Sequence, residues 1–179
     1  MNLCTPCRLA SSLVGLSALV FLGLGRLCAA DVDVSLTEGW MFTNGAEYPG
    51  AEGKLEMGDK SLLLGSNFTN GGQYVAAYRS LNVPNEVKGV TLNASGSGGR
   101  FGVALTDATD QTFIYRIGLV GENVQTFPLS LDKPNDVYGG AKDRTLHFPL
   151  KAIRLMVEKD AANPVGKMTI SKIVLQTQP

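Results

Sequence analysis

Beyond residue 30 the sequence contains no cysteine; Cys4, Cys7 and Cys28 are its only three. It has one histidine, His147, and neither a block of like charge nor a cluster of Lys and Arg. Each absence removes a class of function. One histidine without cysteine rules out a multi-histidine or thiolate metal centre. Sixteen Lys and Arg against sixteen Asp and Glu, with no basic stripe, make nucleic acid and anionic lipid poor partners. No Gly-x-Ser-x-Gly elbow presents a serine nucleophile. The run Gly96-Ser97-Gly98-Gly99 lacks the Lys-Ser/Thr and the helix of a phosphate loop, and reads as a turn.

The cysteines all fall in an opening segment that reads as a secretory signal peptide. Arg8 supplies a short positive start, Leu9 to Leu24 run without a charge, and Cys28-Ala29-Ala30 end in small residues before Asp31. A membrane anchor would need roughly 20 apolar residues, more than this run offers. Lipid anchoring at Cys28 fits poorly, because Arg26 and Leu27 occupy positions that want small side chains. Cleavage after Ala30 leaves residues 31–179 as one domain, with no membrane insertion once the leader is removed. Arg8 and Arg26 leave with it, so that domain carries 14 basic against 16 acidic side chains. An exported domain without disulfides must rest on its core, or on a metal ion. Its location would be periplasmic or extracellular.

After Asp31 no window holds apolar residues at helical spacing for three turns, and no internal repeat of fixed period is present. Period-two alternation between Gly, Asn and Pro punctuation is found instead. It predicts strands over 61–67, 73–81, 87–93, 100–107, 112–119, 123–128, 152–159 and 167–176. Ile153, Leu155 and Val157 alternate with Arg154, Met156 and Glu158, and Phe113, Tyr115 and Ile117 with Ile114 and Arg116. Thr106 to Gln111 reads as a hairpin tip, with Asp110 capping its turn. The class is all-β, a two-sheet antiparallel sandwich or jelly roll.

Catalytic candidates are few. Tyr138, Arg144 and His147 could form a Tyr-base lyase set, but nothing in the sequence ties them to one cleft, and no enzymatic activity is expected. Binding features are stronger. A sugar ring needs an aromatic platform beside planar hydrogen-bonding groups, and Tyr138 stands in a polar, Gly-rich loop from Asp136 to Arg144. Trp40 and Phe42 read as core residues, because lone aromatics usually pack.

Three stretches resemble the galactose-binding-like jelly rolls attached to secreted bacterial polysaccharide hydrolases. They are Trp40 to Gly53 with Asn67 to Ala77, then Leu105 to Thr112, then Tyr138 to Asp143 with His147 to Leu150 and Ile153 to Lys159. The resemblance covers nearly all of residues 31–179 in order, although no single motif is specific. It implies a non-catalytic carbohydrate-binding module that contacts a polysaccharide, or its terminal sugars, through Tyr138, Asp107, Gln111, Asp143 and Arg144. Relatives would carry Trp at Tyr138 and an Asp-x-Thr-Gly-Gln turn at 107–111, so the carry-over is imperfect. It also implies a structural calcium ion, with Glu47 and Glu52 as ligands. Lys172 stands where a further Asp would be expected, and its charge opposes that ion. A free-standing module working beside a separate glycoside hydrolase or surface complex fits this pattern. The competing reading is an envelope interaction protein presenting the same sandwich to another protein. Because the resemblance is to bacterial modules, the sequons at Asn67 and Asn93 read as chance.

Overall fold

The computed structural model describes residues 30–178. The predicted leader, apart from Ala30, lies outside them. Twelve strands and no helix occur among the described residues. They are β1 (Val32–Asp33), β2 (Trp40–Thr43), β3 (Glu52–Met57), β4 (Leu62–Asn67), β5 (Tyr74–Val83) and β6 (Val87–Ser97). Then come β7 (Arg100–Thr106), β8 (Gln111–Gly118), β9 (Gln125–Ser130), β10 (Asp136–Gly139), β11 (Leu150–Glu158) and β12 (Val165–Thr177).

Two antiparallel sheets result. One is ordered β3-β4-β12-β6-β9, with the short β1 pairing β12 beyond the end of β4; the other is ordered β10-β8-β7-β11-β5-β2. All eight strands expected from alternation are present. The four that the sequence reading did not mark are β1, β2, β3 and β10. They are short or lie on a sheet edge, where one solvated side removes the apolar signal. In β3, Glu-Gly-Lys-Leu-Glu-Met, no residue is buried.

Between the sheets the side chains alternate as the period requires. Leu62, Leu64, Leu92, Ile170 and Leu175 of the first sheet meet Val75, Phe101, Leu105, Ile153 and Leu155 of the second, all essentially inaccessible. Burial of each contributes about 1.5–3 kcal/mol. A register shift between Ile170 and Lys172 inserts one residue into β12, so that Ile170 and Ile173 both point inward while Ser171 and Lys172 stay exposed.

Trp40 packs in this core at 4% exposure, its indole N–H donating to the Ser35 carbonyl at 2.9 Å. Phe42 departs from the sequence expectation. It is 38% exposed, because β2 is an edge strand and the Phe42 ring lies over Gly53, where a Cβ would come within 3.1 Å of it.

No helix among the described residues is long and apolar enough to cross a membrane.

Candidate functional site

Two places gather the residues that could act, and they differ in kind. The first is a loop clasp at the tip of the β7–β8 hairpin. Asp107 is fully buried there. Its Oδ1 accepts from the Thr109 amide at 2.8 Å, the Thr109 hydroxyl at 2.8 Å and the Gln111 amide at 3.0 Å; its Oδ2 accepts from the His147 amide at 3.1 Å. Burial alone would push this carboxyl up, but the Thr109 hydroxyl and the three amides together hold it below the usual range.

Gln111, also fully buried, donates from Nε2 to Asp143 Oδ1 at 3.1 Å and to the Thr145 carbonyl at 3.0 Å, and accepts the Arg144 amide at 3.2 Å. Asp143 takes the Thr145 amide at 2.9 Å and faces His147 Nε2 at 2.9 Å. The Thr145 amide, then His147 and Gln111, lower its carboxyl to about 2. The fit is tight: a Cβ on Gly140 would lie 2.3 Å from the Gln111 nitrogen, at a φ of +44°.

The clasp thus unites Asp107, Gln111, Asp143 and His147 with the backbone of Arg144. It does so by turning their polar atoms on one another. Asp107 and Gln111 present no surface to a ligand as they stand, whereas Asp143 and Arg144 remain exposed. Asp110, on the same tip at φ +68°, faces outward and pairs with Lys151 at 2.8 Å.

Tyr138 is elsewhere. It projects from β10 into a groove of about 830 Å³ over the outer face of the second sheet. Strand register explains the floor. Met156 lies between Ala76 and Gly102, and Arg154 lies between Tyr78 and Ala104, with Ile114 and Asp136 continuing that row. Ala76, Ala104, Ile114 and Met156 form a small buried apolar cluster with Tyr74 packed against it. Small side chains at the centre leave a depression, and larger ones on the flanking strands give it sides.

One wall is the loop from Asn44 to Ala51, which carries Glu47 and Tyr48. The Tyr74 hydroxyl donates to Glu47 Oε1 and ties that loop to β5, while the Tyr48 and Tyr74 rings meet edge to face at 6.5 Å. Burial, then the Glu47 bond, raises the Tyr74 hydroxyl to about 12, and the same bond lowers Glu47. The opposite wall is β10 with Tyr138 and Asp136. Tyr48 and Tyr138 are each about half exposed, at 50% and 48%. At the end of the floor Arg116 Nε donates to both oxygens of Glu158, at 3.1 and 2.9 Å. An apolar floor between two exposed tyrosines, rimmed by charged and amide groups, is a surface that can stack a ring and hydrogen-bond its substituents.

Solved structures share this architecture. The chain is similar to a family 11 carbohydrate-binding module from Clostridium thermocellum in complex with a β-1,3-1,4-mixed-linked tetrasaccharide, with a TM-score of 0.60, 16% identity, and coverage of 83% of this chain and 96% of that one. A variant of a family 29 carbohydrate-binding module matches with a TM-score of 0.53 and 13% identity over 84% of this chain and 94% of that one. The fold is that of carbohydrate-binding modules. An agarase matches it over 84% of this chain but 25% of its own, at 11% identity and a TM-score of 0.54. No family model matches the sequence, and none of the curated proteins does.

Within this module fold the sequence reading missed Tyr48, Tyr74, Arg100, Arg116 and Arg154, which line the groove. The signal was present for two of them. Arg116 and Arg154 interrupt apolar strands at outward positions of an alternation that was itself legible.

The residues expected to hold calcium, Glu47 and Glu52, have other partners in this structure. Glu47 is engaged with Tyr74, and Glu52 accepts from the side-chain amides of Asn67 at 3.4 Å and Asn70 at 3.3 Å. Among the described residues no three His, Cys, Asp or Glu side chains gather closely enough to hold a metal ion.

Proposed function

We propose that this protein is an exported, non-catalytic carbohydrate-binding module, and that a polysaccharide chain lies in the groove between Tyr48 and Tyr138. The observation that carries this reading is the pair of half-exposed tyrosines that line one groove over a small apolar cluster. The apolar face of a pyranose ring stacks on a tyrosine, and its equatorial hydroxyls reach the groups at the rim, Asp136, Gln73 and Arg154 among them. The groove is open, so it suits the interior of a chain as well as its end. The fold shared with carbohydrate-binding modules supports the reading.

Asp107, Gln111, Asp143 and Arg144 take a different part in it. The clasp they form holds the loop that follows Tyr138, and so fixes where that ring stands. Nothing brings Tyr138, Arg144 and His147 to one cleft, and the groove needs no catalyst to bind sugar. The protein would work in the periplasm or outside the cell, beside a separate glycoside hydrolase or within a surface complex.

Affinity gel electrophoresis of residues 31–179 against a polysaccharide panel tests the reading. Retardation by at least one polymer, weakened about tenfold in Tyr138→Ala, is the expected result. A wild type retarded by none would refute it, and retardation unaffected by Tyr138→Ala and Tyr48→Ala would remove the site.

A further inference from the structure

Residues 31–179 hold slightly more acid than base, yet the groove is biased the other way. Five arginines fall among the described residues, and three of them, Arg100, Arg116 and Arg154, line it together with Lys159. The acids there are Glu47, Asp136 and Glu158. Glu158 is paired with Arg116, whereas Glu47 keeps its charge under the Tyr74 hydroxyl and within the field of Arg154, so four cations face three carboxylates. The side chains of Arg100, Arg154 and Lys159 form no ion pair or hydrogen bond among the described residues. The sequence shows no basic stripe because these cations lie on separate strands; register alone assembles them.

Position adds to the count. Arg154 is half-buried in the row of Tyr78 and Ala104, next to the small residues Ala76 and Gly102 on the flanking strands. The apolar cluster of Ala76, Ala104, Ile114 and Met156 lies beside it, a low-dielectric surface that strengthens the field of its charge. A guanidinium presents a rigid fork of N–H donors that matches a carboxylate or sulfate in a bidentate way. Sugar hydroxyls also need acceptors, and with Glu158 paired to Arg116 the rim offers chiefly Asp136, Gln73 and the second oxygen of Glu47. Donors of positive charge outnumber them.

We propose that the groove's ligand is an anionic polysaccharide, one bearing carboxylate or sulfate groups, and that Arg154 and Arg100 bind those groups. This rests on the carbohydrate-binding reading above and narrows it. The tyrosines stack the rings, and the arginines select for charge.

The test runs polygalacturonate, its methyl-esterified form, a sulfated galactan and a neutral mixed-linkage β-glucan side by side in affinity gels, at low and raised salt. Retardation should be strongest with one of the two charged polymers. If the carboxylate polymer is the ligand, methyl esterification weakens it; if the sulfated one is, the esterified pair behaves alike. Added salt weakens either. Arg154→Gln and the exposed Arg100→Gln should each weaken retardation about tenfold, the loss of one hydrogen bond to a charged group. Lys172→Gln, on the other sheet, should leave it unchanged. Equal melting temperatures would show that the variants are folded.

A protein retarded as strongly by the neutral glucan as by the charged polymers overturns the charge selection and leaves the carbohydrate-binding reading in place. No retardation by any of the four overturns both. Charged-polymer binding indifferent to both arginine variants overturns the assignment to Arg154 and Arg100.

Discussion

The clasp at the hairpin tip and the groove over the second sheet both gather polar side chains, yet they do opposite things with them. In the clasp, Asp107, Gln111, Asp143 and His147 satisfy one another and the surrounding amides, and two of the four are sealed from solvent. In the groove, Tyr48 and Tyr138 stand half exposed and Arg154 has no partner among the described residues. A polar residue in a loop is not by that fact a contact residue. What decides is whether its hydrogen bonds close inside the chain, and only register and loop path settle that.

The sharpest way to separate the two regions is to remove Asp107. Asp107→Ala leaves the Gln111 and His147 amides without their acceptor, at about 1–3 kcal/mol for each buried donor. The melting temperature should fall steeply in calorimetry. Gln111→Ala should cost about 2 kcal/mol, since it releases Asp143 and the Thr145 carbonyl together. Tyr138→Ala should behave in the reverse manner, with polysaccharide retardation weakened about tenfold and melting nearly unchanged.

Acid should act on the clasp and not on the groove's tyrosines. The carboxyls of Asp107 and Asp143 are both held below the unfolded value of about 3.9, with Asp143 at about 2. A carboxyl lowered by folding contributes stability that is complete above its unfolded value and is lost as pH falls through the folded one. Melting temperature should therefore drop between about pH 4 and pH 2, and less steeply in Asp107→Asn. At the other extreme Tyr74 is raised to about 12, by burial and by Glu47, so an absorbance titration should find its midpoint lower in Glu47→Gln. The smallest effect expected is that of metal removal. With Glu47 and Glu52 engaged elsewhere, a chelator should leave melting unchanged.

Legibility in the sequence follows the same division. The long strands announced themselves by alternation; Ile153, Leu155 and Val157 are all inward and buried, as that period requires. The edge strands β3 and β10 lack an apolar face and left no trace. Tyr138 was legible as an exposed aromatic because it sits in a polar, Gly-rich stretch. Asp107 and Gln111 were legible as a hairpin tip, but the segment from Asp143 to His147 that closes over them lies more than thirty residues away, so their burial was not. The groove itself was invisible. Arg100, Arg116 and Arg154 come from three strands, and the small residues that open space among them mean little until pairing sets them side by side.

The central claim is that sugar binds the outer face of the second sheet. Backbone amide shift mapping by NMR, with an oligosaccharide cut from whichever polymer retards the protein, tests it most directly. Shifts gathered on β5, β8, β10 and β11 around Tyr74, Arg116, Tyr138 and Arg154 are predicted. Shifts gathered instead on residues 107–111 and 143–147, or on the sheet that carries Lys172, would contradict it.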